Sequence, residues 1–167
     1  RCSESRLAGP NAPALARCIS WLDQPSDIQV LYDGKATMHP HVAHIGSVHV
    51  GLQGSLRRSA TMMCRARPSD ARIEHVLGEF GLTSFLDHPR GLDQRVFEGG
   101  KGLSAEQTLR IDLARAVLGK VDLVVIFSLR WKTDPDQHGL LKVLQSMPPA
   151  TVVLADVSNK AHLSKAL

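Results

Sequence analysis

Apolar residues recur along the chain in two ways, at helical spacing and in short unbroken runs. After the turn signal Gly9-Pro10-Asn11, Leu15, Cys18, Ile19 and Leu22 follow at three- and four-residue intervals, and Pro25-Ser26-Asp27 stops the segment. This predicts a helix over about 13–23. Ile28 to Tyr32, running into Asp33-Gly34, predicts a short strand and a tight turn. From Lys35 to Cys64 there are four histidines and no sustained period, and no element is predicted. Ser69 reads as an N-cap for a helix whose inner face carries Ile73, Val76, Leu77 and Phe80, with Gly81 closing it. Ser104-Ala105-Glu106-Gln107 fits a capping box, in which hydroxyl and amide satisfy opposite backbone donors. It predicts a helix over about 104–119 with Ile111, Ala114 and Leu118 on one face. Leu123 to Phe127 is continuously apolar and Thr151 to Ala155 repeats the signal, as expected of parallel strands covered on both faces. Between them Asp134 as cap, Pro135 in the first turn, and Leu140, Leu141, Leu144 and Met147 predict a last helix. Alternating helices and buried strands make the fold class α/β.

Composition narrows the function classes. With 167 residues, 43% hydrophobic and 22% charged, the chain has the balance of one ordinary globular domain. Its net charge of +4 comes from scattered arginines with no run of five like charges, and Trp21 and Trp131 have no aromatic neighbours, so no nucleic-acid partner is expected. Cys2, Cys18 and Cys64 are odd in number and lack C-x-x-C spacing, which points to a reducing compartment. No apolar run approaches the roughly 20 residues that span a bilayer. The chain starts at Arg1 without a methionine, so a longer polypeptide is expected. His39, His41, His44 and His49 are expected to be solvated loop histidines, because Pro40 breaks helical spacing and no cysteine joins them; no metal site is expected.

The stretch from Gly91 to Gln107, with Glu98-Gly99-Gly100 and Leu103-Ser104-Ala105-Glu106-Gln107 inside it and Leu113-Ala114-Arg115-Ala116 after it, resembles the signature region of ATP-binding cassette (ABC) ATPase domains. Counting on from it, the family's Walker B strand falls on Leu123 to Ile126 and its D-loop aspartate on Asp134. Counting back, the Asp33-Gly34 turn sits at the family's distance after the phosphate loop, which falls on Arg6 to Ala14. Glu98-Gly99-Gly100 and Gly54-Ser55-Leu56-Arg57 are similar to the exporter-type branch. The resemblance implies a P-loop NTPase-like (RecA-like) parallel-sheet core, truncated, over residues 1–50 and 108–167, with a helical subdomain over 51–107. It also implies a cytoplasmic position on a membrane, a transmembrane domain as partner, and pairing with a second nucleotide-binding domain.

Against that pattern the chemistry is depleted. A P-loop holds triphosphate through backbone N–H groups at a helix start, a lysine on the terminal phosphates and a hydroxyl on Mg²⁺. Here the nucleotide-binding positions are Gly9, Asn11, Ala12 and Pro13, with alanine at the lysine position and proline at the hydroxyl position. Pro10 and Pro13 also lack N–H groups. The Walker B end carries Phe127 and Ser128 instead of an aspartate and a glutamate, neither able to hold a hard cation or act as a base near neutral pH. The glutamine-loop position is Val50 and the switch position Val157. The signature keeps Ser104 and Gln107, whereas Ala105 and Glu106 replace two glycines; Glu106 places negative charge near a phosphate unless it turns outward. The expectation is a domain with no catalytic residues and no cofactor in its own site, ATP with Mg²⁺ being held only in a composite site that it completes for a partner. Two other readings stay open: a working ATPase using Asp122, Asp156 or Glu98 for the metal, and a protein-binding scaffold outside transport. The family's strand before the P-loop is buried, while this chain has Cys2-Ser3-Glu4-Ser5 there, so that strand is expected to be distorted or absent, or to have its edge upstream.

Overall fold

The computed structural model describes residues 4–7, 11–20, 22, 40–45, 54–96, 103–127, 135–146 and 151–155. Four strands, β1 (Glu4–Leu7), β2 (Val42–Ile45), β5 (Leu123–Phe127) and β6 (Thr151–Ala155), form one sheet in the order β1-β6-β5-β2. All three pairings are parallel, as the unbroken apolar runs of β5 and β6 require. Parallel neighbours need crossovers, and the helices supply them on both faces.

On one face α1 (Ala12–Ile19) lies over Leu123, Val125 and Val153, with Leu7, Val42 and Phe127 at the margin. On the other, α5 (Ala105–Leu118) and α6 (Pro135–Ser146) cover Ala43, Val124, Ile126 and Val152. The alternation along β5 explains the split, since odd positions meet α1 and even positions meet the larger core. That core extends into α2 (Leu56–Thr61), α3 (Asp70–Glu79) and α4 (Thr83–Leu86), with a small antiparallel pair of β3 (Gly54–Ser55) and β4 (Arg95–Val96) beside them.

The central helices follow their local signals. Ser69 caps α3 by accepting from the Arg72 N–H, and Ile73, Val76, Leu77 and Phe80 are fully buried. Gly81, at φ +71°, ends it: its N–H reaches the Gly78 carbonyl at 2.8 Å and the Leu82 N–H reaches Leu77 at 2.9 Å, the double closure of a left-handed C-terminal turn. The same closure ends α5, with Lys120 at φ +50° in the turn, Lys120 N–H on Val117 and Val121 N–H on Ala116. Here a non-glycine residue takes the left-handed position because Val121 is thereby buried against the core.

Three expectations are corrected. α1 stops at Ile19 rather than running to about residue 23: the Ser20 N–H makes the last helical bond, to the Ala16 carbonyl at 3.0 Å, and the Leu22 N–H then turns back to the Arg17 carbonyl at 2.9 Å, closing the helix end. Leu22 is accordingly outside the helix and 54% exposed, and Leu15 is exposed too, so Ala12, Ala16 and Cys18 form the buried face. The strand at Glu4–Leu7 is present, paired along its length with β6; it stands at the edge of the described sheet with Ser5 and Arg6 exposed, which a polar sequence tolerates. The unreadable middle contains β2, β3 and α2. The predicted strand over 28–32 lies outside the described residues.

Candidate functional site

Strand direction fixes where a ligand would sit in such a sheet. The carboxyl ends of β1, β6 and β5 are level, with Leu7 opposite Ala155 and Ala155 opposite Phe127. In open parallel sheets ligands bind beyond this edge, where the connection from the first strand enters its helix. Asn11 is the N-cap of α1 and makes no side-chain capping bond; Ala12 and Pro13 are its first two residues. Ala12 is buried, 1% exposed, and Pro13 is half-buried. The helix start and the sheet edge therefore flank the region where ligands bind in open parallel sheets, but the described side chains Ala12, Pro13 and Phe127 there are apolar.

Phe127 continues this. It is half-buried against the small core under α1, and its ring stacks on His44 at the end of β2, centroids 6.0 Å apart and planes inclined by 13°. Burial pushes the His44 imidazole below its ordinary range; a hydrogen bond with the Ser20 backbone opposes this and the Arg17 guanidinium adds to it. An Mg²⁺-bound triphosphate needs oxygen ligands and cationic or N–H donors. The alanine, proline and phenylalanine at this edge do not fit that group. Among the described residues no three His, Cys, Asp or Glu side chains come together to hold a metal ion. Asp122, one of the carboxylates considered for the metal, lies at the opposite, amino end of β5 and accepts from the His41 backbone N–H at 2.8 Å, pinning β2 to β5. A strand of that length separates it from Phe127 by roughly 16 Å. Gly9, Val50, Glu98, Ser128, Asp134, Asp156 and Val157 lie outside the described residues, as do His39, His49, Trp21 and Trp131.

The lowered His44 pKa sets a pH dependence. The unfolded chain binds the proton first, so the stability contributed by neutral His44 is complete above about pH 6.5 and declines as the pH falls through that value toward the folded-state pKa. Thermal melts of the wild type and His44→Gln from about pH 8 to about pH 5 are expected to converge on acidification, by a few degrees only because the imidazole edge is exposed. Parallel curves would exclude the effect.

The start of α5 is organised differently. The Ser104 hydroxyl accepts from the Gln107 N–H at 3.1 Å while the Gln107 side chain accepts from the Ser104 N–H at 2.8 Å, the reciprocal box expected from the sequence. The hydroxyl keeps its own proton to donate, and Ala105 and Glu106 occupy the first two helical positions, whose N–H groups have no acceptor within the helix. Glu106 does turn away: both Nε and Nη2 of Arg110, one turn on, bond its Oε1, at 2.9 and 2.5 Å. The pairing was readable as an i, i+4 spacing and was missed, as was the burial of Arg115 on the inner face of the same helix.

No family model matches the chain. It is 30% identical to antigen peptide transporter 1 of Rattus norvegicus, over 72% of this chain and 18% of that protein. It is 28% identical to the glutathione/L-cysteine transport system ATP-binding/permease protein CydD of Haemophilus influenzae, over 70% of this chain and 19% of that protein. The chain thus spans less than a fifth of the length of these curated relatives. In fold it is similar to the solved structure of a bacterial Atm1-family ABC exporter with ATP bound, with a TM-score of 0.72 at 16% identity, covering 93% of this chain and 29% of that one. Among the described residues no helix is long and apolar enough to cross a membrane. Relatives and fold agree with the resemblance of residues 91–116: the chain is an ATP-binding cassette transporter domain, built on an α/β core with a parallel sheet.

Proposed function

We propose that this domain works in an exporter-like membrane transporter as a non-hydrolysing partner, its own triphosphate site lost and its α5 start completing the ATP site of a second nucleotide-binding domain. The observation that supports this reading is the contrast between two helix starts in one fold. At α1 the residues that would meet phosphate and Mg²⁺ are Ala12, Pro13 and Phe127. At α5 the capping box leaves the Ser104 hydroxyl proton and two helical N–H groups directed out of the helix at its positive end. In this reading residues 1–50 and 108–167 form the core and 51–107 the helical subdomain. The domain sits on the cytoplasmic side against transmembrane helices encoded elsewhere, and no nucleotide or metal is held in its own site.

The test is ATP hydrolysis by the assembled transporter. Ser104→Arg, which places a long side chain across the start of α5, is expected to lower hydrolysis by about a hundredfold or more, the range for losing a donor to developing phosphate charge. Substitution of Pro13 by alanine is expected to leave it unchanged. Equal sensitivity at both positions would favour an active site in this chain, and insensitivity at Ser104 would favour a scaffold.

A further inference from the structure

We infer that Arg110 is a positioning residue for the α5 start, holding the Glu106 carboxylate off the helix end that would otherwise capture it. The inference rests on the function proposed above.

A carboxylate at the second position of a helix has two competing places to go. It can fold back over the unpaired N–H groups of its own first turn, where the helix dipole favours negative charge, or it can reach forward to a cation one turn on. The first placement fills the anion site with the protein's own anion and sets a negative charge against any phosphate brought there. In this chain the second is realised, with two guanidinium nitrogens of Arg110 on Glu106 Oε1.

An exposed i, i+4 pair alone would hold Glu106 weakly, and Glu106 is 58% exposed. What makes Arg110 an effective latch is its third contact: Nη1 donates to the Phe80 carbonyl at 2.8 Å, at the end of α3. That fixes the guanidinium before Glu106 is engaged, so little side-chain freedom remains to be lost in forming the pair. The room for it comes from Gly81, where a Cβ would stand 2.5 Å from Arg110 Nη1. The left-handed turn that closes α3 therefore also seats the residue that governs the start of α5. Arg110 also carries its positive charge on the first two turns of the helix that Ser104 caps, so its loss removes a favourable charge while releasing an unfavourable one.

The experiment uses the full-length transporter with its partner in lipid vesicles and follows Mg-ATP hydrolysis. Arg110→Met is expected to lower hydrolysis about tenfold, the effect of one nearby unit charge at the effective dielectric of a protein surface. The loss should appear mainly as a rise in KM for ATP, and Glu106→Gln in the same chain should restore most of the activity. Arg110→Lys, which keeps the charge, should restore part of it. A structural role limited to the Phe80 carbonyl would not be rescued by neutralising Glu106, so an unrescued double variant overturns the inference. So does an Arg110→Met transporter with wild-type KM. The parent reading is separated by Ser104→Arg run alongside: full activity in that variant removes the composite site itself, whereas its loss together with an inert Arg110→Met removes only the latch.

Discussion

Arg115→Ala is expected to cost about 3–5 kcal/mol of stability, the largest single-residue loss outside the apolar core. Arg115 lies on the inner face of α5 with its side chain 8% exposed, and each of its three guanidinium nitrogens donates a hydrogen bond. Its Nε donates to the Ser59 carbonyl at 2.7 Å, Nη2 to the Ser59 hydroxyl at 2.8 Å and Nη1 to Asp112 Oδ1 at 2.6 Å. One planar group thus ties α2 to α5 across the interface between the larger core and its helical side. Burial pulls the guanidinium pKa downward and Asp112 opposes this, the signature of a charge whose partner justifies its place in the interior. Truncation removes that charge but leaves Asp112, itself nearly buried, and the Ser59 carbonyl in low-dielectric surroundings with fewer donors. Replacing the pair together, Arg115→Met with Asp112→Leu, is expected to recover most of the loss, since apolar groups of similar volume need no partner. Urea unfolding of both variants checks this; a single-variant loss under about 1 kcal/mol would show that the contacts carry no net stability.

The parts of the fold legible in the sequence are those whose signals are local. The Ser104–Gln107 box, the Ser69 cap with Gly81 closing the same helix, and the apolar runs of β5 and β6 each depend on residues within a few positions of one another. The spacing overextends α1 because Leu22 continues the helical period, and a period does not register that the Leu22 N–H turns back to the Arg17 carbonyl and closes the helix. β2 and α2 were invisible for a different reason. A four-residue strand with an exposed His44 and a six-residue helix beginning Leu-Arg-Arg are too short to show a period, and both are stabilised by distant partners: β5, Asp122 and Arg115. The site divides along the same line. The apolar character of Ala12, Pro13 and Phe127 is read directly from the sequence, whereas the contacts around them and at the start of α5, with His44 against Phe127 and Arg110 holding Glu106, need three-dimensional placement.

Mg-ATP titrated onto the full-length polypeptide carrying this domain is expected to give no saturable binding at the domain's own site below millimolar concentration. Hydrogen bonds to charged groups are each worth about 1.5–3 kcal/mol, so removing the lysine, the hydroxyl and a backbone donor weakens a micromolar site about a thousandfold or more. The further expectation is that restoring the family residues does not restore the site. A lysine at position 12 starts from a Cβ that is 1% exposed and must displace its neighbours to emerge. Phe127→Asp gives up the stack on His44 and puts a carboxylate against the small apolar core under α1, at a cost of about 2–3 kcal/mol. Because His44 and Phe127 have packed together where an aspartate and its cation would need water and oxygen ligands, the triple variant Ala12→Lys, Pro13→Ser, Phe127→Asp should melt below the wild type and still bind no Mg-ATP by calorimetry. Micromolar binding in the unaltered chain would overturn the first expectation. Recovery of binding in the triple variant without loss of melting temperature would show that the apolar packing at this edge is incidental, and that only three side chains separate this domain from an ATP-binding one.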